Sequence, residues 1–511
     1  MVNLRFLELC AIFLASDGVF GCALADHIFA SRNAQSSLPL VDLGYEIYRA
    51  SAFNTTGQYY TFSNIRYGAP PVGPLRFAAP RPPTVNRSIV QDGLVDRICP
   101  QALPDWLSIS SQFVPRYLQG ENEFKTSSFN LSSEIPPPDP RETEDCLFLD
   151  ITVPKDIYDN GGKSRGASVL VWIHGGGYVV GSKTLFGNPA GLIHASQTAS
   201  ELGIIYVSIN YRLGAFGFLG GPTLQEDGTA NAGLHDQRLA LEWIQKHIDK
   251  FGGDAKRVTI LGESAGAGSI MHQLIAYGGR GPVPFARAIL QSPGVIPMVS
   301  NRQNENTLTA FLNYAGVSTL RDARNLSSET LQAANRLQIA ASPYGRFTYS
   351  PTLDGDFVPQ IPSQLLRQGR FHKSIQIFVA HNADEGLIFT SPFLRNQSDI
   401  EQTLTTLLPT LKNEPQFVTE LLDNLYPKEE FNSNGTISQR ATIARTAKFN
   451  GDASFNCNYF FLAKAYQNTS YAYRFAVEPA LHGSDLAYTY YNAIDDNMEK
   501  QCSWLEKGLF F

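Results

Sequence analysis

The chain is poor in charge and in the residues that hold metals. Only 17% of its 511 residues are Asp, Glu, Lys or Arg, and the formal net charge is −6. It has no long basic block, and nucleic-acid binders usually carry a basic patch or stripe, so nucleic acid is not an expected partner. None of its six cysteines stands in a Cys-x-x-Cys pair and no His-x-x-x-His spacing occurs, so no metal site is expected. Beyond the N-terminus no apolar run is long enough to cross a bilayer. Internal repeats and a strong linker are also absent, which argues for one large domain over residues 26–511. What remains is a composition 43% hydrophobic and 11% aromatic, enough for a sizeable core and too apolar for wholesale disorder.

The first 25 residues read as a secretory signal. Arg5 supplies the positive start, Phe6 to Phe20 is mostly apolar, and Ala23-Leu24-Ala25 offers a small-residue cleavage site before Asp26. Asp17 interrupts the run, which is short for a membrane span. Asn-x-Ser/Thr sequons begin at Asn54, Asn86, Asn130, Asn325, Asn396, Asn434 and Asn468, in keeping with a secreted glycoprotein. Removal of the signal takes Cys10 and Cys22 and leaves Cys99, Cys146, Cys457 and Cys502. These allow three pairings. In an oxidising compartment Cys99–Cys146 is favoured, because it closes a long loop rich in Pro and Ser.

Short β-rich runs recur from Ser168 onward: "SVLVWI", "IIYVSI", "RVTIL", "RAILQ", "IQIFVA" and "YAYRFAV". Several are apolar almost throughout, as strands buried on both faces are. Helical patterns lie between some of them. In "DQRLALEWIQKHIDKF" (236–251) the residues Ala240, Trp243, Ile244, His247 and Ile248 share one stripe. The alternation predicts an α/β class, with a large, mostly parallel sheet flanked by helices. Residues 303–345 and 398–450 read as helices covering that sheet. Residues 40–77 read as strands at its edge, and 99–146 as a surface loop with some helix around Leu103 to Gln119.

One strand leads into chemistry. After "RVTIL" come Gly262-Glu263-Ser264-Ala265-Gly266 and then a helical pattern. That is the context of a nucleophile elbow, in which glycines two before and two after the serine relieve crowding. The helix start favours developing negative charge, and the N–H of Ala265 points towards it. "WIHGGGYVVGS" follows another strand, and its bare backbone donors at Gly176 and Gly177, shaped by Gly175, would complete an oxyanion hole. In folds with such an elbow the triad runs serine, acid, histidine. Of the histidines after Ser264, only His482 follows the acids of "HNADEGLIF". His272, His372 and His381 are thereby set aside. Asp384 and Glu385 both qualify as the acid, and periodicity does not separate neighbours. Asp354, Asp356 and Asp485 read more easily as turn residues.

These stretches, with "RYGAPPVGPLRF", "EDCLFLDITVP", "NYRLGAFGFL", "LDGDFVPQIPSQLL" and "HGSDLAY", make the chain resemble the type-B carboxylesterases, a family that includes cholinesterases and fungal and bile-salt-type lipases. The resemblance runs from about residue 40 to 492. It implies an α/β-hydrolase fold and selects Glu385 as the acid, with Ser264 as nucleophile, His482 as base, and Gly176, Gly177 and Ala265 as oxyanion donors. It also implies a Cys99–Cys146 disulfide, a small-molecule or lipid ester as substrate, and no cofactor or metal. Cys457 resembles another family cysteine, whose partner lies near the C-terminus; its pairing with Cys502 stays open. The tail "NAIDDNMEKQCSWLEKGLFF" matches no family pattern. Where choline-binding members carry a tryptophan shortly before Cys146, this chain has Pro136, Pro137 and Pro138, so a cholinesterase is not expected. The expected activity is a secreted serine carboxylic-ester hydrolase working through an acyl-enzyme. The alternatives are a triacylglycerol lipase whose lid is the 99–146 loop, and a non-catalytic adhesion or scaffold protein. Two supporting roles are expected: Glu263 fixing the elbow, and an Arg76–Glu144 pair tying the loop base to the sheet. Oligomeric state leaves no trace in the sequence.

Overall fold

A computed structural model of the chain describes residues 38–491, apart from 131–135, 162–165, 186, 200–202, 296–297, 299, 432–437 and 468–469. The signal segment 1–25, the sequons at Asn434 and Asn468, Cys502 and the C-terminal tail lie outside the described residues.

Twelve strands are described: β1 (Leu40–Asp42), β2 (Ile47–Arg49), β3 (Ala52–Asn54), β4 (Tyr59–Arg66), β5 (Val90–Gln91), β6 (Phe148–Pro154), β7 (Ala167–Ile173), β8 (Ile204–Ile209), β9 (Gly253–Glu263), β10 (Arg287–Gln291), β11 (Gln376–Asn382) and β12 (Ser470–Phe475). Nine of them form one sheet in the order β12-β11-β10-β9-β7-β8-β6-β4-β3. From β12 to β8 the strands are parallel, and β6, β4 and β3 add antiparallel pairs at the far side. β1, β2 and β5 make a separate small sheet. The reading of 40–77 as one sheet edge is corrected accordingly: β3 and β4 belong to that edge, β1 and β2 do not. Their partner β5 is two residues long, too short to leave a period in the sequence.

The central strands are apolar because both faces are covered. β7 and β8 have no exposed residue, and the helix Ala232–His247 turns Ala240, Trp243 and Ile244 inward against the sheet. Helices Asn301–Tyr314, Ser328–Ala340, Gln397–Leu407 and Gln439–Gly451 occupy the two regions read as helical. Parallel strands put their C-terminal ends on one edge of a sheet, where α/β proteins place their sites. Here that edge receives the HGGG loop after β7, Ser264 after β9, Glu385 after β11 and His482 after β12.

Between Cys99 and Cys146, which are joined by a disulfide with a Cα separation of 5.0 Å, the helix Trp106–Leu118 forms as expected. The predicted Arg76–Glu144 pair is present, buried and bidentate, with Nε donating to Oε2 at 2.8 Å and Nη2 to Oε1 at 2.7 Å. The five described sequon asparagines are all exposed. Among the described residues no helix is long and apolar enough to cross a membrane.

Candidate active site

The elbow is built by close approach. Ser264 sits at φ 55° and ψ −124°, a conformation costly for a non-glycine residue and recurrent at functional sites. A Cβ on Gly266 would meet the Ile173 carbonyl oxygen at 2.1 Å, and one on Gly262 would meet the Gly266 carbonyl carbon at 2.7 Å. Both glycines are therefore required for the turn to lie against β7. Hydrogen bonds hold it there: Ser264 N–H donates to Gln291 O at 3.0 Å, and Gly294 N–H donates to Ser264 O at 2.9 Å.

Three side chains from three strand ends meet. His482 Nε2 lies 2.8 Å from Ser264 Oγ, and His482 Nδ1 lies 2.5 Å from Glu385 Oε2. Glu385 also accepts from Ser292 Oγ at 2.6 Å and from Asn382 N–H at 2.5 Å. All three side chains are buried. With Glu385 accepting, Nδ1 carries the imidazole proton and Nε2 is left to accept from the serine hydroxyl. The backbone of the neighbouring Asp384 is held separately, its N–H donating to Ala480 O at 2.9 Å. The histidines set aside lie elsewhere: His272 Nδ1 contacts Gly268 O at 2.7 Å within its own helix, and His381 Nδ1 contacts Asn382 O at 2.8 Å.

The glycine loop after β7 stands over the serine. Gly176 has φ 104° and Gly177 φ 60°, and a Cβ on Gly176 would meet Val180 O at 1.9 Å. The N–H groups of Gly176, Gly177 and Ala265 donate to nothing among the described residues. His174 braces the loop, with Nδ1 2.8 Å from Gly175 O and its ring stacked on Tyr211 at 4.3 Å. Burial pushes His174 down to about 4, so it stays neutral.

Glu263 does more than the sequence suggested. It is buried, and Oε1 lies 3.2 Å from His482 Nε2, aligned too poorly to hydrogen-bond. Burial pushes its carboxyl up to about 8; His482 pulls the other way. Burial also favours neutral His482, but Glu263 and Glu385 outweigh it and raise the imidazole above the ordinary histidine value. A role confined to fixing the turn is too narrow: Glu263 belongs to the electrostatics of the base. Sequence reasoning missed Ser292 and gave Asp485 only as a weaker option for the acid. Asp485, read as a turn residue, is buried and accepts from Gln291 Nε2 at 2.9 Å, Tyr473 Oη at 2.8 Å and Asn382 Nδ2 at 3.2 Å. Its position three residues after His482 was the available signal. Ser292, in "LQSPG", offered none.

The cavity at Ser264 is narrow, about 60 Å³, and walled by Tyr178, Phe347, Tyr349, Phe389 and Phe455. The Phe389 and Phe455 rings also lie against His482, at 5.2 and 4.2 Å. Among the described residues no cluster of His, Cys, Asp and Glu could hold a metal ion.

A parallel-centred sheet carrying a strained serine, a histidine–carboxylate pair and free backbone donors on one edge is the architecture of an α/β-hydrolase. The comparisons agree. The carboxylesterase family model matches residues 48–503, and the chain belongs to that family and is a carboxylic ester hydrolase. The match reaches into the tail that looked atypical. The carboxylesterase patB of Penicillium expansum is 40% identical over 475 residues, covering 89% of this chain and 83% of its own. A secreted lipase of Arthroderma benhamiae is 34% identical, covering 68% and 66%. Among solved structures, EstA of Aspergillus niger superposes with a TM-score of 0.72 at 26% identity, covering 93% of this chain and 89% of its own. The scaffold alternative is set aside by these findings.

Proposed function

We propose that the chain is a secreted serine esterase that hydrolyses small carboxylic esters through an acyl-enzyme. The observation that carries the mechanism is the continuous hydrogen-bonded series Ser264 Oγ, His482, Glu385. His482 Nε2 takes the hydroxyl proton as Oγ attacks the ester carbonyl. Glu385 keeps the ring oriented and stabilises the imidazolium that forms. The three free N–H groups of Gly176, Gly177 and Ala265 hold the oxyanion. His482 then protonates the leaving alcohol, and water repeats the sequence on the acyl group. No step calls on a cofactor.

The narrow aromatic cavity supports a short acyl chain. The loop 99–146 supports an esterase over a lipase with a lid, because its helix is anchored. Trp106 Nε1 donates to Arg346 O at 2.7 Å, Ser110 Oγ to Ile388 O at 2.7 Å, and Phe113 and Phe124 are fully buried. Secretion rests on the N-terminal pattern, the exposed sequon asparagines and the secreted relative.

The test is a 4-nitrophenyl ester series from acetate to palmitate, with purified protein and its Ser264→Ala variant. Short esters should be fastest, and the variant should lose about a million-fold in kcat. A rate rising with chain length and jumping on emulsified substrate would favour the lipase. A Ser264→Ala protein as active as its parent would end the acyl-enzyme reading.

A further inference from the structure

Beside the catalytic cavity lies a second, roomier one. It holds about 280 Å³ and is lined by Tyr344, Phe393, Thr403 and Asn450 among others. The two cavities share Gly345, Arg346 and Phe389. At Gly345 this wall is bare backbone, packed so closely on Phe389 that a Cβ would meet its carbonyl oxygen at 2.1 Å. The dividing wall is thus one glycine, one aromatic ring and one arginine.

Arg346 has an unusual set of partners. Nη1 donates to Thr406 O at 3.2 Å and to Leu407 O, the last carbonyls of the helix Gln397–Leu407. The negative end of a helix is a natural seat for a cation. Nε and Nη2 make no hydrogen bond among the described residues, and no carboxylate there pairs with the guanidinium. The side chain is thus held at one corner with its other donors free. Burial lowers it only to about 10, so it stays charged at neutral pH. The acid lining the roomier cavity, Asp399, is engaged at the opposite end of the same helix, where Oδ2 accepts from Arg395 N–H at 2.6 Å and Asn396 N–H at 3.1 Å. Eight residues of helix separate the two, roughly 12 Å. The chamber therefore has a positive end, and that end adjoins the reacting serine.

A guanidinium held at a cavity wall with free donors and no protein carboxylate is ready to take an anion. A free guanidinium edge matches a carboxylate in two parallel hydrogen bonds. We propose that Arg346 binds a carboxylate carried by the substrate, so that the preferred esters are anionic: half-esters of dicarboxylic acids, or hydroxy- or phenolic acids acylated at their hydroxyl group. The reaction itself is unchanged; the carboxylate end meets Arg346, which lines both cavities, while the ester bond lies at Ser264. This inference rests on the esterase reading above and adds a substrate class to it.

The experiment compares matched pairs. On the acyl side, 4-nitrophenyl hemiglutarate is set against 4-nitrophenyl valerate. On the alcohol side, 4-acetoxybenzoate is set against 4-tolyl acetate. Wild type, Arg346→Met and Arg346→Lys are assayed for kcat/KM. Wild type should favour the anionic member of one pair, and which pair tells which half of the ester meets Arg346. Arg346→Met should lose roughly ten- to hundred-fold more on that member than on its neutral counterpart, the worth of charge-assisted hydrogen bonds, with Arg346→Lys partly restored. Equal losses on neutral and anionic esters would reduce Arg346 to a prop for its helix and overturn the proposal, as would a wild type indifferent to charge in both pairs. Calorimetric binding of methyl hemiglutarate and 4-acetoxybenzoate to Ser264→Ala, with and without Arg346→Met, gives a readout independent of turnover. Binding of either that vanishes with the arginine supports the proposal even if hydrolysis fails, and arginine-independent binding or none overturns it.

Discussion

Glu263 shows how much one buried carboxyl changes at the residue scale. In the proposed mechanism the working form of His482 is the neutral imidazole, because Nε2 must accept the serine proton. A pKa raised above the ordinary histidine value keeps the ring protonated further up the pH scale. Activity should therefore climb with pH along an acid limb whose midpoint in kcat/KM lies above the usual 6.5 of histidine. Glu263 is the largest influence raising His482, and because its own carboxyl is pushed up to about 8 the two share a proton and titrate as a pair; Glu263→Gln, which keeps the shape and removes the second titrating group, should move that midpoint down. A pH–rate profile of the two proteins decides; an unmoved midpoint would confine Glu263 to the turn. The three central residues were readable because each follows a strand and the chain order admits one histidine. The choice of Glu385 over Asp384 came only from family resemblance, since adjacent residues share every periodic property. In the structure the Glu385 carboxylate reaches His482 Nδ1 at 2.5 Å.

At the scale of elements, the site depends on how closely β9 and its following helix lie against β7. Gly266 is the contact point, with its missing Cβ facing Ile173 O at 2.1 Å and His174 O at 2.8 Å. Ile173 ends β7 and His174 opens the glycine loop, so a methyl group there must push Ser264 and the glycine loop apart together. A misplacement of about 1 Å costs on the order of a hundred-fold in rate. Gly266→Ala should lose at least that in kcat. Gly281→Ala, at φ +80° but with nothing within 4 Å of its Cβ, should keep its rate; equal rates for both variants would refute the close approach. The central strands were legible because burial on both faces leaves unbroken apolar runs. β12 is an edge strand whose residues are all at least partly exposed, yet its tyrosines and phenylalanine still mark it. The small sheet was not legible, because pairing between β2 and the two-residue β5 is decided by tertiary contact and not by pattern.

The whole molecule is held at the base of the 99–146 loop by two different devices. Cys99–Cys146 closes a loop with a sequence separation of 47, and the buried Arg76–Glu144 pair ties the adjoining segment to the body, with Arg76 Nη1 also donating to Arg324 O and Leu326 O. Restricting the unfolded chain across that separation is worth about 4 kcal/mol in the chain-entropy description, and measured native disulfides cluster at about 2–4 kcal/mol. That stabilisation acts on the unfolded state, so losing it need not disturb the site. In the folded state the loop has its own anchors: buried Trp106, Phe113 and Phe124, and Arg440 Nη1 donating to Tyr117 O at 2.7 Å. The double variant Cys99→Ser with Cys146→Ser should therefore inactivate much faster on heating while keeping kcat/KM at room temperature within about two-fold. Half-lives of activity at several temperatures, beside initial rates on a short ester, measure both. A large fall in room-temperature kcat/KM with little change in half-life would mean that the disulfide shapes the cavity directly and that the loop's packing does not suffice to hold the wall around Trp106 and Phe389.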